Sequence, residues 1–467
     1  MHHPLTRYSL LALLAAGAGA AHAATFVNGI TIPGDTLDLS SGSATERRVG
    51  FFSDLYFDPH RNEWWGLSDR GPGGGTLNYE TRVQRFTLDI DHVTGAISNF
   101  QVAQTIRFSD GGAALNGLAP SPASALGNAF DPEGFVINPK NGNFIVSDEY
   151  GRVGEFTRDG ELVKPYALPE DVIPKAGDAV DYTATPPTLT NGREPNRGFE
   201  GLAVSPDGNF AYAMLQNGAI QDGWSGGTRG VYSRILKFDT ATGDLVAQYA
   251  YKLESSGQGR GISALVALND HELLVLERNN RGIGVGATLA SPDKNVYRID
   301  LNGADDVTGV DLPGTGALPT GVDAVVKNPT KFLDLDADTL AELGNKSPEK
   351  WEGLAVGPRL ANGDFMLLAG TDNDYSVTQN SGGTQFDVWF DFTAADPFTS
   401  AIQCAFGSVT DCTAPLTDSH RLLPGVLHSY RVSAAELGNY VAPVPVPGAL
   451  VLLGSALAGL GARRRRR

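Results

Sequence analysis

One recurring phrase limits what this chain can fold into. Asp131 to Tyr150 reads D-P-E-G-F-V-I-N-P-K-N-G-N-F-I-V-S-D-E-Y: an apolar strand, a Pro/Asn/Gly turn, a second apolar strand, then acids. Gly198 to Asn217 repeats it as G-F-E-G-L-A-V-S-P-D-G-N-F-A-Y-A-M-L-Q-N, and Lys350 to Asp374 opens likewise with K-W-E-G-L-A-V. Phe51 to Asp69 carries the same hairpin with Ser53-Asp54 in place of Glu-Gly, and Gly261 to Glu277 carries it around Ser263. Outer strands follow each hairpin, as in the alternating Val83 to Ile90, Ser233 to Phe238 and Asn295 to Asp300. Units of four strands recurring every roughly 60 to 90 residues are the signature of a β-propeller. Five starts are visible, at Asp54, Glu133, Glu200, Ser263 and Glu352, and the long gap before Glu352 has room for another. The expectation is an all-β β-propeller of six blades, with seven as the alternative, each blade a four-stranded antiparallel sheet. The N- and C-terminal strands are expected to share a blade. Residues 165–197, Pro-rich and without a clear period, are expected to form a long insertion on one rim.

Both ends read as addresses. Residues 1–23 combine Arg7, the apolar run Leu10 to Ala16 and Ala21-His22-Ala23, the pattern of a secretory signal peptide. Residues 441–467 hold Val444-Pro445-Val446-Pro447, a short apolar stretch and the run Arg463 to Arg467. That order resembles the C-terminal sorting signals of exosortase substrates (PEP-CTERM type, VPxP variant). It implies processing by signal peptidase and exosortase, transient membrane anchoring through the tail, and delivery to the cell surface or beyond. The propeller is expected over residues 24–440.

The net charge is -17, and setting both end segments aside leaves 30 basic residues against 53 acidic ones. Such a surface repels phosphate backbones, so nucleic acid is excluded as a partner. Acid-rich clefts instead suit calcium. The two cysteines, Cys404 and Cys412, are close in sequence and are expected to pair in an oxidising compartment.

Propeller geometry locates the chemistry. The first strand of each blade lines the channel and the second runs back, so the start of one and the end of the other meet at one mouth. This gathers Asp54 with Asp69 and Arg70, Glu133 with Asp148 and Glu149, Glu200 with Gln216 and Asn217, Ser263 with Glu277 and Arg278, and Glu352 with Asp372 and Asp374. Clustered carboxylates need cations, arginines or raised pKa values to coexist. The expected metal ligands are Asp54, Asp69, Glu133, Asp148, Glu149, Glu200 and Glu352, for calcium. The expected catalytic set is Glu133, Glu200, Glu352 and Arg70, and Arg70, Arg197, Arg278 and Arg281 are expected to bind an anionic group. Other motifs lack their setting. Gly223-Trp-Ser-Gly-Gly227 has no strand before it and no helix after it, and Gly282-Ile-Gly-Val-Gly286 has no βαβ unit.

Gly66-Leu-Ser-Asp-Arg-Gly71, Asp131-Pro-Glu-Gly134, Gly198-Phe-Glu-Gly-Leu-Ala203, Glu277-Arg-Asn-Asn-Arg281 and Trp351-Glu-Gly-Leu-Ala355 resemble the phytase-like family ("esterase-like activity of phytase") over about Gly50 to Arg431. The resemblance implies a β-propeller and an ester or phosphoester hydrolase. Two functions are therefore expected in competition. One is an exported, metal-assisted phosphoric ester hydrolase acting on a small phosphate or carboxylate ester at the acidic mouth. The other is a non-catalytic, calcium-stabilised propeller that binds partners at a cell surface or matrix. An open, solvent-reached mouth favours the first; acids plugged by neighbouring backbone favour the second.

Overall fold

A computed structural model describes residues 23–255, 257, 260–438 and 440–443. Residues 1–22 of the expected signal peptide and residues 444–467 of the expected sorting signal lie outside the described residues. Among the described residues no helix is long and apolar enough to cross a membrane.

Five four-stranded antiparallel units stand around one axis. Blade 1 is built from Asp54–Asp58, Glu63–Leu67, Arg82–Ile90 and Ile97–Arg107, and blade 2 from Pro132–Ile137, Phe144–Asp148, Val153–Phe156 and Leu162–Pro165. Blade 3 uses Phe199–Val204, Phe210–Leu215, Tyr232–Asp239 and Leu245–Lys252. Blade 4 uses Gly261–Ala267, Glu272–Arg278 and Lys294–Asp300, with two short pieces, Val326–Lys327 and Leu333–Asp334, sharing its outer edge. In blade 5, Trp351–Arg359 and Phe365–Thr371 are followed outward by the C-terminal strand Gly425–Val432 and then the N-terminal strand Ala24–Ile32. The two chain ends thus share a blade, as expected. This sharing closes the ring.

The inner strand of each blade packs against those of both neighbours, blade 5 against blade 1 included, so five blades complete the ring. This corrects the expected count. A sixth sheet exists, made of Val377–Gln379, Gln385–Asp391, Ile402–Ala405 and His420–Leu422, but it is inserted between the second and third strands of blade 5. The gap before Glu352 holds turns, the two edge pieces and a 3₁₀ turn at Ala341–Leu343. Cys404 and Cys412 are joined in the sixth sheet, as expected.

Glycine after the mouth residue explains how the ring packs so tightly. A Cβ on Gly134 would lie 2.5 Å from Leu202 Cβ of blade 3; on Gly201, 2.7 Å from Leu265 Cγ of blade 4; on Gly353, 2.6 Å from Leu55 Cγ of blade 1. Each leucine fills the notch left by the missing side chain in the preceding blade. Leu55, Leu202 and Leu265 are all nearly inaccessible to solvent. Burying side chains of this kind stabilises the fold by about 1.5–3 kcal/mol each.

Candidate functional site

The other half of the Glu-Gly pair is explained by a break in strand register. In blades 2, 3, 4 and 5 the ladder between the first two strands slips at one residue: Glu133, Glu200, Ser263 and Glu352. Each is the extra residue of a β-bulge. A bulge bends its strand and re-aims one side chain, and here it turns the glutamates to the mouth while the following glycine stays in the notch. Blade 1 has no such slip, and Asp54 pairs directly with Leu67.

The mouth opens as a cleft of about 370 Å³, with Glu133, Glu200 and Glu352 on its walls together with Asp69, Glu149 and Asp374. Four cations share these walls: Arg70, Arg197, Arg278 and Lys350. The sixth sheet and the turn that leads into it form one side through Tyr375, Val377, Thr378, Gln379 and Gln385, and the Gly71-Pro72-Gly73-Gly74 loop borders it.

Charges on one side are paired. Arg278 reaches from blade 4 to Glu352 in blade 5 with Nη2, while its Nε donates to Ser263 Oγ at 2.8 Å and its Nη1 to Asn280 Oδ1 at 3.0 Å. Where blade 4 lacks a glutamate, an arginine therefore occupies the position. Lys350 Nζ lies 3.0 Å from Asp372 Oδ2 and 2.6 Å from Asp374 Oδ1. Burial pulls the ammonium down, but Asp372, Asp374 and Glu352 outweigh it and hold Lys350 above its ordinary value.

Across the cleft, Arg70 Nη1 lies 2.8 Å from Asp131 Oδ2, and the Arg70 backbone N–H donates to Asp131 Oδ1 at 3.0 Å. One oxygen each from Asp69, Asp131 and Glu133 falls within 4.8 Å of the others. Burial, then Glu200 and Asp131, push Glu133 well above the usual carboxylate range. Burial, Asp372 and Asp131 do the same to Asp69, and burial with Asp131 raises Glu149.

Glu200 stands between the two sides. It is 3% exposed; its Oε1 accepts from Gln216 Nε2 at 2.6 Å, and its Oε2 has no hydrogen-bond partner. Burial, followed by Glu352 and Glu149, raises its pKa well above the usual range. Glu352 is pushed up to about 8 by burial, against the pull of Arg278 and Lys350.

Three expected site residues lie elsewhere. Asp54 is buried and its two oxygens accept backbone N–H groups, Leu55 at 2.7 Å and Phe135 at 2.7 Å, so it ties blade 1 to blade 2 rather than facing the mouth. Asp148 Oδ1 accepts from Gly151 N at 2.6 Å and Arg152 N at 3.1 Å, which closes the turn after the second strand of blade 2. Arg281 turns away to Thr288 Oγ1 at 2.6 Å. Both acids are corrections of the expected metal set, because neither joins the close group of carboxylate oxygens from Asp69, Asp131 and Glu133. Arg281 is a correction of the expected anion-binding set. Lys350 and Asp131 were missed. Both precede the bulged glutamate of their strand by two, and residues two apart in a strand share a face; that spacing was the available signal. Arg197 arrives from the rim insertion, as does Asn196, whose Oδ1 accepts from Arg70 Nη2.

The chain is similar to several known proteins. A secreted protein of Arthroderma benhamiae, itself uncharacterized, is 25% identical over 422 residues, which cover 70% of this chain and 80% of that protein. Among solved structures, the Dos1 propeller matches at 10% identity and TM-score 0.25 over 82% of this chain and 68% of its own. The Cps50 (Swd1) β-propeller domain of Myceliophteria thermophila matches at 12% identity and TM-score 0.30 over 74% of this chain and 71% of its own. The blades themselves, not these distant likenesses, carry the assignment of the fold. The family model described as "Phytase-like: Esterase-like activity of phytase" matches residues 47–375, from the start of blade 1 to the turn that enters the sixth sheet. That span holds all five inner strands and every charged residue named on the cleft walls, and the chain belongs to the phytase-like family.

Proposed function

We propose that this chain is an exported phytase-like hydrolase that cleaves a phosphoric ester in the mouth cleft with the help of a divalent cation, for which calcium is the best fit. The observation that carries the reading is Glu200: a buried carboxyl group facing an open cleft, held by Gln216 through one oxygen and unpartnered at the other. A carboxyl group whose pKa is raised by burial and by neighbouring carboxylates is suited to carry a proton to a leaving group. The secreted relative supports export.

Asp69, Asp131 and Glu133 are the residues that would hold the cation. Their donor set is all oxygen, which suits a hard cation such as calcium, and no described residue donates a hydrogen bond to the Glu133 carboxylate. Such an ion would polarise a phosphoryl oxygen and offset the repulsion among the three acids. Arg70, Arg197, Arg278 and Lys350 surround the position of an anionic group, and the Glu352 carboxylate holds Arg278 in orientation. A water oxygen forms the new bond to phosphorus and gives its proton to Glu133, whose carboxylate form the bound cation would favour. The ester P–O bond breaks, and Glu200 delivers its proton to the departing alkoxide.

The reading is tested by hydrolysis of a phosphate-ester panel with calcium, with chelator, and with Glu133→Gln and Glu200→Gln. Turnover should need calcium and fall in both variants. Turnover that survives chelation and both substitutions would sink it.

A further inference from the structure

The cleft is described by two facts that the hydrolase reading does not use. The first is its charge. Six carboxylates and four cations line it, so the walls carry more negative than positive groups even before the nearby Asp131 and Asp372 are counted. With Glu200 holding its proton, a bound divalent cation brings such a cleft close to neutrality. One anionic group finds Arg70, Arg197, Arg278 and Lys350 around it. A ring of many phosphates would set most of its charge against the other wall carboxylates, Glu133, Glu149 and Asp374 among them, and like charges facing each other are costly.

The second fact is the sign of the missing hydrogen bonds. Gln216 and Gln385 line the cleft, are no more than 6% exposed, and their amide oxygens have no hydrogen-bond partner among the described residues. The Gln216 amide nitrogen is already spent on Glu200, and the Gln385 amide nitrogen on Gln379 Oε1 at 2.6 Å. The amide oxygen is left open on both side chains, as an acceptor. Buried acceptors left open require donors, and an uncharged ligand supplies donors as hydroxyl groups. Gln216 and Gln385 approach from different walls, blade 3 and the sixth sheet, so the donors must be spread along the ligand. The volume lies near the lower end of the usual range for small-molecule sites, about 300–1,000 Å³.

We propose that the cleft takes a small ester with one anionic group and several hydroxyls, of the sugar monophosphate class, and discriminates against polyphosphorylated rings. This rests on the hydrolase reading for the reaction but not for the ligand. The test is a comparison of kcat/KM in the presence of calcium for glucose 6-phosphate, ethyl phosphate and inositol hexakisphosphate. Calorimetric binding of the same three compounds to Glu200→Gln, in calcium, runs alongside.

Glucose 6-phosphate should exceed ethyl phosphate, which has the same phosphate and no hydroxyls, by at least about tenfold, because a site built for hydroxyls rejects the analogue lacking them. It should exceed the hexakisphosphate by a similar factor. Turnover in which the hexakisphosphate equals or beats glucose 6-phosphate overturns the proposal and leaves the hydrolase reading standing. Equal rates for glucose 6-phosphate and ethyl phosphate overturn it too. No turnover of any compound, with glucose 6-phosphate still bound in preference to the other two, upholds the ligand class while the hydrolase reading falls. Absence of both turnover and preferential binding overturns both.

Discussion

The two ends of the channel are made by the same five strands and are opposites. At the mouth the inner strands begin with Glu133, Glu200, Ser263 and Glu352 on bulges, around a charged cleft. A few residues further along, Leu55 to Phe57, Leu202 to Val204, Leu265 to Ala267 and Leu354 to Val356 line a far end that is almost wholly apolar and much smaller, about 50 Å³, with Tyr440 and Pro443 of the C-terminal segment against it. One end is built from groups that are costly to bury, the other from groups that gain by burial. A ring needs only the second. The first is retained at the expense of stability, which is the expected sign of a functional site. Asp54 sharpens the contrast, because it is a mouth-position acid with both oxygens occupied by backbone donors, and there the acid serves the ring.

Breaking the mouth should cost activity. Glu200→Gln removes the proton donor and should lower kcat by about 10²–10⁴, read in steady-state assays with calcium. Breaking the packed half should cost stability. Leu202→Ala empties the notch at Gly134 and should lower the unfolding free energy by about 2–5 kcal/mol, read by denaturant titration. Asp54→Ala leaves the Phe135 N–H without its acceptor and should cost about 1–3 kcal/mol with kcat/KM retained; a loss of activity in a stably folded variant would move Asp54 back among the functional acids.

A smaller effect follows from proton linkage. The folded protein holds Glu352 at about 8 against an ordinary value of 4.5, so between these values the folded state binds more protons than the unfolded one. Stability should therefore fall as pH rises from about 5 to 8 in chelator. The raised values of Glu133, Glu200 and Asp69 act in the same direction. Calcium should flatten the slope, and thermal midpoints across this range check it. At the far end, Tyr440→Ala uncovers part of the apolar rim and should cost about 1–2 kcal/mol without touching selectivity.

Much of this contrast was legible in the sequence. The recurring phrase located all five inner strands, because strand, turn and return strand are local and their residues adjacent. The glutamates and Arg70, Arg197 and Arg278 were placed at one mouth by the direction of those strands alone. Blade number was not legible, because closure depends on how blade 5 takes back strands from both chain ends. The strand at 385–391 reads like any blade strand, yet it belongs to the sheet inserted beside the cleft. Asp148 was misread because it closes its own turn onto Gly151 and Arg152, and Asp54 for a reason related to blade closure. Whether an acid faces a cleft or caps a neighbouring N–H depends on a one-residue slip in register, and blade 1 lacks the slip that blades 2 to 5 share.

Glu200 and Leu202 stand two residues apart on one strand, and measuring both variants for kcat/KM and unfolding free energy tests the division between the two ends most directly. The account predicts a crossed result: Glu200→Gln loses activity and keeps or gains stability, while Leu202→Ala loses stability and keeps kcat/KM below its unfolding transition. A Glu200→Gln protein that is as active as the parent but markedly less stable would contradict it, and would make the mouth part of the scaffold.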